Sequence, residues 1–328
     1  MSHVIVGAGA VGIGVGTALL AAGESVTFVA RREAARSLRE HGCGRTGIFG
    51  DAAFPSSAFT VVEALDAIGQ APTSILIATK AFATGEIAGT LAARPVLAGC
   101  DAPIVSLQNG LGNAEALADA LGPDRVFNAS ILIGFRRAGA GRVHVTVCAK
   151  PIQLGSLYGA NLAAVAGLAR SLAAGGIPAE THDDIAGELW EKALYNCALN
   201  PLGAILGVPY GALARASTTR SLMDRVVAEI FLVMDACGEH THWADAERYL
   251  AHFYEVLLPP TAEHESSMLQ DVRAGRRTEI DALCGEIVGR GRRAGVETPV
   301  NHALHQLIRA IEGTGGRDTG EVANAPGR

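Results

Sequence analysis

The chain has 328 residues, of which 49% are hydrophobic and 18% charged, with 40 glycines and a formal net charge of −6. That length is enough for two domains with a substantial core, and 13 prolines with no repeat exclude a collagen-like or Pro/Gly-rich disordered chain. Lys and Arg are scattered, which disfavours a generic polyanion-binding face and leaves room for a local phosphate site.

The first half alternates short apolar runs with helical segments. His3–Gly7 reads as a strand, Val11–Ala22 as a helix stopped by Gly23, and Ser25–Ala30 as a second strand followed by a helix from Glu33 to His41. Ser74–Ala78 and Ile104–Leu107 are further buried strands. Such runs separated by helices predict βαβ units and a parallel sheet. Val126–Leu132, Arg142–Val147 and Ile152–Leu157 lie close together and are expected to extend that sheet in antiparallel fashion. From about Asp183 the strands stop, and helices are expected at 184–206, 217–237, 243–257, 264–273, 277–294 and 300–312. The predicted fold is therefore an α/β Rossmann-like N-terminal domain over 1–182 and an all-α C-terminal domain over 183–312. The Gly-rich, polar residues 313–328 are expected to form a disordered tail.

Six cysteines, none in a CxxC pair and at least 40 residues apart, argue against a zinc ribbon or a disulfide scaffold. No metal site is expected. The start of the chain carries no signal-peptide pattern, and the apolar run Val4–Ala22 is broken by five glycines, so a cytoplasmic protein without a membrane span is expected.

The segment Gly7-Ala8-Gly9-Ala10-Val11-Gly12 matches GxGxxG in the context that gives the motif meaning, after a strand and opening a helix. Gly7 permits the turn, Gly9 the approach of a pyrophosphate, and Gly12 close helix–strand packing. A glycine-rich packing contact without a ligand is the alternative. At the end of the second strand, where NAD enzymes carry an acidic residue for the ribose, stands Ala30-Arg31-Arg32-Glu33. Arg31 suits a 2′-phosphate and so NADP, whereas Glu33 keeps NAD open. Arg32 reads as a solvated charge at a helix start. Lys80, after the strand at 75–78, either reaches the cofactor or is a plain surface lysine. Gln108-Asn109-Gly110 follows a strand end where ligands bind in open sheets, and an Asn-Gly turn is the alternative.

In the second half, Lys192, Asn196 and Asn200 recur at i, i+4 and i+8 among apolar neighbours, which puts three polar groups on one face of a buried helix. Buried polar groups need partners, supplied by a ligand or by a structural network. Pro201 should kink that helix. His264 to Asp271 and Thr278-Glu279-Ile280-Asp281 form a further polar cluster, for which spacing alone favours a helix cap with surface charges.

These clusters and the glycine loop together resemble the ketopantoate reductase family over nearly the whole chain to about residue 312. The resemblance rests on Gly7–Gly12, Arg31, Thr79-Lys80-Ala81, Gln108-Asn109-Gly110, Glu188-Leu189-Trp190-Glu191-Lys192 with Asn196 and Asn200-Pro201-Leu202, and Ser266–Asp271 with Thr278–Asp281. It implies a C-terminal domain like that of 6-phosphogluconate dehydrogenase, a ligand between the two domains, and NADPH-dependent reduction of a 2-keto acid to a D-2-hydroxy acid. It assigns Lys192 and Glu279 as catalytic, Asn109, Asn196, Asn200 and Ser267 to the substrate, and Gly7, Ala8, Gly9, Ala10, Val11, Gly12, Arg31, Lys80 and Asn109 to the cofactor. Two positions depart from the family pattern, which often has Asn where this chain has Tyr210 and His264. Tyr210 either narrows the substrate pocket or stacks on a flat substituent. His264 is either a charged partner for a carboxylate or a neutral hydrogen-bonder. The substrate is then 2-dehydropantoate (ketopantoate), a relative such as the D-mandelate dehydrogenase 2-keto acid, or an imine. A non-catalytic dinucleotide sensor on the same fold should have lost the Lys or the Glu, and both are present. Apolar helix faces in the second half suit either a homodimer or burial within the domain.

Overall fold

The computed structural model describes residues 1–315. The chain divides into two compact units, Met1–Lys192 and a second beginning at Ala193.

The first unit opens with β1 (Ser2–Val6), α1 (Ala10–Ala21), β2 (Ser25–Val29) and α2 (Arg32–His41). Short strands β3 (Cys43–Gly47), β4 (Ala52–Phe54) and β5 (Thr60–Val62) follow, then β6 (Ser74–Ile77), α3 (Thr84–Ala92), α4 (Pro95–Ala98), β7 (Ile104–Ser106) and α5 (Asn113–Leu121). The unit continues with β8 (Val126–Ser130), β9 (Ile133–Arg137), β10 (Arg142–Cys148), β11 (Ile152–Gly155), α6 (Ala163–Ala174) and β12 (Ala179–Thr181). Eight strands form one sheet in the order β12-β11-β8-β7-β6-β1-β2-β5. All its pairings are parallel except β11 with β8.

Both faces of this sheet are buried, as the unbroken apolar runs predict. Ile5, Phe28, Leu76 and Val105 feed one core cluster, while their neighbours Val4, Val6, Ile75, Ile77 and Ile104 feed the other. This is the two-residue alternation of a pleated strand. Helix α1 lies close to the sheet because it is rich in glycine. A Cβ at Gly16 would come within 2.3 Å of the Phe28 ring on β2, and one at Gly14 within 2.4 Å of Phe135 on β9, a strand outside the main sheet.

The expected antiparallel extension is only partly found. β11 joins the main sheet antiparallel to β8, whereas β8 itself is parallel to β7. The strand expected at 142–147 leaves that sheet: β10 pairs with β9 and β3 in a second sheet of order β4-β3-β10-β9. The reason is β3, a Cys-Gly-Arg-Thr-Gly run with no apolar alternation, which becomes a strand through backbone pairing to β10 roughly one hundred residues away.

The second unit is helical. It contains most of α7 (Ile185–Leu206), which starts in the first unit, then α8 (Tyr210–Arg215), α9 (Ser217–Cys237) and α10 (Ala246–His252) running into a π-helical turn at Phe253–Leu257. α11 (Ser267–Arg273), α12 (Cys284–Ala294) and α13 (Pro299–Gly315) complete it. The helix expected over 277–294 is broken, with a single 3-10 turn at Ile280–Ala282 before α12. The buried carboxylate of Glu229 on α9 accepts from the backbone N–H groups of Val300 and Asn301 and from Asn301 Nδ2, at 2.8–2.9 Å, and so caps the start of α13. Gly313–Gly315 of the expected tail belong to α13, and the rest of that expectation lies outside the described residues. Among the described residues no helix is long and apolar enough to cross a membrane.

Candidate active site

The glycine loop joins β1 to α1 at the carboxyl edge of the main sheet. Here β1 is flanked by β2 on one side and β6 on the other, so the strand order reverses at this point. The crevice outside the strand ends at such a reversal is where open α/β sheets bind ligands. Gly7 has φ +111°, and a Cβ there would lie 2.8 Å from the Ala78 carbonyl group; at Gly12 a Cβ would lie 2.0 Å from the Gly7 carbonyl oxygen. A Cβ at Gly9 would meet only the Ala78 oxygen, at 3.8 Å, so backbone at Gly9 is open to close approach. Gly9 caps α1 without a side-chain hydrogen bond, and the helix start thus offers its N–H groups to an anion. This cradle fits a dinucleotide pyrophosphate. Replacing Gly12 with alanine is expected to lower the midpoint of thermal unfolding by several degrees and to abolish dinucleotide-dependent stabilisation, read by thermal shift with and without cofactor. An unchanged response to cofactor would remove the loop from the site.

A hydrogen-bond network fixes the neighbouring strand ends. Gln108 Nε2 donates to Thr84 Oγ1 at 2.9 Å and to the Lys80 carbonyl at 3.3 Å. Thr84 Oγ1 donates to Asn113 Oδ1 at 2.9 Å, and Asn113 Nδ2 donates to the Asn109 carbonyl at 3.0 Å. The loops carrying Lys80 and Asn109 are therefore held together at the ends of β6 and β7. Gly110, at φ +87°, makes the turn that spacing allowed there. Thr79, next to Lys80, also packs against the glycine loop. Arg31 is exposed and serves as the N-cap residue of α2, which Arg32 begins. Both line an open hollow of ≈530 Å³ with Glu33 and Glu63. The Glu63 carboxylate is taken by Arg39 at 2.8 Å, which leaves the hollow with positive charge to offer. Arg137 on β9, which spacing gave no reason to select, donates to the Ala8 carbonyl at 3.1 Å and brings a further guanidinium to the glycine loop.

Helix α7 carries Lys192, Asn196 and Asn200 one turn apart along one face, with Lys192 and Asn200 buried and Asn196 half-buried. It runs through Pro201 to Leu206 without stopping. Its first turns bear Glu188 and Glu191, both buried, and Lys150 between β10 and β11 pairs with them at 3.1 and 3.0 Å. Burial works against the Lys150 ammonium, yet the hydrogen bonds and charge of Glu191 and Glu188 hold its pKa above the usual lysine value. Lys150 thereby anchors the turn that precedes Lys192, a role invisible in the sequence because the partners are some forty residues apart.

In the second unit, Tyr210 Oη donates to Asn200 Oδ1 at 2.6 Å, and both side chains are buried. The Tyr210 ring packs edge-on to Tyr195, with 5.9 Å between centroids, and against His264 at 5.2 Å. Burial lowers the His264 pKa, with Glu265 opposing, so the neutral form of this imidazole is favoured at neutral pH. Ser266 caps α11 by accepting from Leu269 N at 3.0 Å, which sets Ser267 as the first residue of that helix. Thr278 Oγ1 accepts from Ile280 N, and Asp281 pairs with Arg277, His305 and Arg309, as a cap with surface charges would. Between them Glu279 is buried, with 9% of its surface exposed, unlike a surface charge.

Residues 3–159 match the family model described as ketopantoate reductase PanE/ApbA, and residues 184–312 match its C-terminal counterpart. The 2-dehydropantoate 2-reductase of Aquifex aeolicus (strain VF5) is 36% identical over 313 residues, 95% of this chain and 97% of that protein. The chain belongs to the ketopantoate reductase family. The crystal structure of a PanE/ApbA family ketopantoate reductase from Ralstonia eutropha JMP134 superposes with a TM-score of 0.82 at 32% identity, covering 97% of this chain and all of that one. A ternary structure of D-mandelate dehydrogenase with NADH and anilino(oxo)acetate gives a TM-score of 0.85 at 25% identity, over 97% of this chain and all of that one. Within the ketopantoate reductase family, then, the fold is settled, with an α/β dinucleotide-type sheet followed by helices.

Proposed function

We propose that this ketopantoate reductase family member reduces 2-dehydropantoate to D-pantoate with NADPH, the pantoate-forming step of pantothenate biosynthesis. The buried lysine of α7, two turns from a buried asparagine on the same helix face, carries the reading. It is supported by relatives named 2-dehydropantoate 2-reductase along nearly the whole chain. The reaction adds a hydride to C2 of the keto acid and a proton to its carbonyl oxygen. NADPH, when bound, supplies the hydride.

The chain's own groups do the rest. The Gly7–Gly12 backbone, with Ala8, Ala10 and Val11, cradles the pyrophosphate, and Arg31 and Lys80 hold the adenosine phosphate. Arg137 adds positive charge beside the loop. Lys192 donates a hydrogen bond to the substrate carbonyl oxygen, stabilises the negative charge that grows there, and delivers the proton. Glu279 is assigned to keep that ammonium charged and oriented. Asn109, Asn196, Asn200 and Ser267 supply N–H and O–H donors for the carboxylate and the oxygen functions of the substrate. The reading places the protein in the cytoplasm, in keeping with cysteines that are at least 40 residues apart and form no CxxC pair.

A second reading, an aromatic 2-keto acid, is favoured by the likeness to D-mandelate dehydrogenase and by the aromatic Tyr210 at a position where Asn is common. NADPH oxidation by the purified protein distinguishes the two. The highest kcat/KM is expected with 2-dehydropantoate, followed by branched 2-keto acids. Preference for phenylglyoxylate would move the protein to the second reading, and no turnover with any 2-keto acid would overturn both.

A further inference from the structure

Asn200 is one of the donors assigned to the substrate, and the role inferred for its neighbour Tyr210 rests on that reading. A primary amide has two unlike ends, and a half-turn about its last bond exchanges an acceptor for a donor. A keto acid carboxylate only accepts hydrogen bonds, so an unpinned asparagine spends part of its time presenting the wrong end. Here the acceptor end is occupied: Tyr210 Oη donates to Asn200 Oδ1 at 2.6 Å. Among the described residues no partner is found for Asn200 Nδ2. Tyr210 is itself immobilised. Its backbone N–H donates to the His264 carbonyl at 3.1 Å, and its ring is wedged between Tyr195 and His264.

We infer that Tyr210 is a positioning residue of the substrate site, whose hydroxyl locks the carbonyl end of the Asn200 amide and commits its NH2 end to donate to the substrate. Burial, together with Tyr195, pushes the phenol pKa well up, so the hydroxyl stays a donor throughout any working pH range. Tyr210 thus acts on the substrate through the Asn200 amide to which its hydroxyl is bonded. It takes the place of a direct substrate contact with an indirect one, made through Asn200.

The test is a double-mutant cycle read by steady-state kinetics against the preferred keto acid. Tyr210→Phe keeps the ring and its packing and removes only the hydroxyl. It is expected to raise KM for the keto acid about tenfold, as loss of one hydrogen bond's orientation would, with kcat changed less than about twofold and KM for NADPH unchanged. Asn200→Ala, or Asn200→Ser should the alanine variant not fold, is expected to raise the same KM at least as much. Tyr210→Phe added to either should then have no further effect. Additive losses in the double variant, or an unchanged KM in Tyr210→Phe, would overturn the inference while leaving the functional reading intact. Absence of keto acid turnover by the wild-type protein would instead overturn that reading, and the positioning role with it.

Discussion

Replacing Lys192 with alanine is expected to lower kcat for keto acid reduction about 10³-fold, within the range known for loss of a positioned proton donor and charge stabiliser. Binding of NADPH should change less than about threefold, because the groups proposed to hold the cofactor lie on β1, β2, β6 and β7 and their loops. The residue is only 7% exposed, in a helix whose preceding turn is anchored by Lys150. A methionine at 192 preserves length and packing without the charge. It should fold as the wild type does and be as inactive as the alanine variant, which separates lost chemistry from lost structure. Pre-steady-state NADPH oxidation provides the measurement, and turnover within tenfold of wild type in both variants would remove Lys192 from the mechanism.

Arg31→Ala is expected to raise KM for NADPH roughly 10- to 100-fold, the cost of about two charge-assisted hydrogen bonds to a phosphate, while KM for NADH moves less than about twofold. The 2′-phosphate is the only difference between the two cofactors, so the ratio of the two losses isolates the contact. Glu63, the carboxylate across the hollow, is engaged by Arg39, and so does not cancel the charge that Arg31 brings. Equal losses for both cofactors would place Arg31 on the shared part of the dinucleotide, or show that it acts only as the N-cap residue of α2. The contact should also weaken with ionic strength, because Arg31 is exposed.

Much of the candidate site can be read from local cues. A strand ending in Gly7 and a helix beginning after Gly9 require glycine at those positions for reasons of backbone geometry alone. The cation at the end of β2 sits at a fixed distance along the chain from that loop. The polar face of α7 follows from the 3.6-residue period. The departures have an equally definite cause. β3 has no strand pattern of its own and exists by pairing with β10, so the strand at 142–148 was drawn into a second sheet. Arg137 reaches the glycine loop from 129 residues away in sequence. The helix expected over 277–294 begins only at Cys284, after a 3-10 turn at Ile280–Ala282, and the Glu279 carboxylate ahead of that turn is buried instead of solvated.

The sequence by itself determined the order of elements, the presence of a phosphate-type cradle and the residue types available for reduction, because propensity, periodicity and turn chemistry act over a few residues. Only the tertiary structure decided what each polar side chain is bonded to. Folding puts the Tyr210 hydroxyl on Asn200, and it brings Lys150 to Glu188 and Glu191, pairings that spacing along the chain does not show. A buried donor must find an acceptor, but which acceptor is set by packing between segments that the chain brings together only once it has folded.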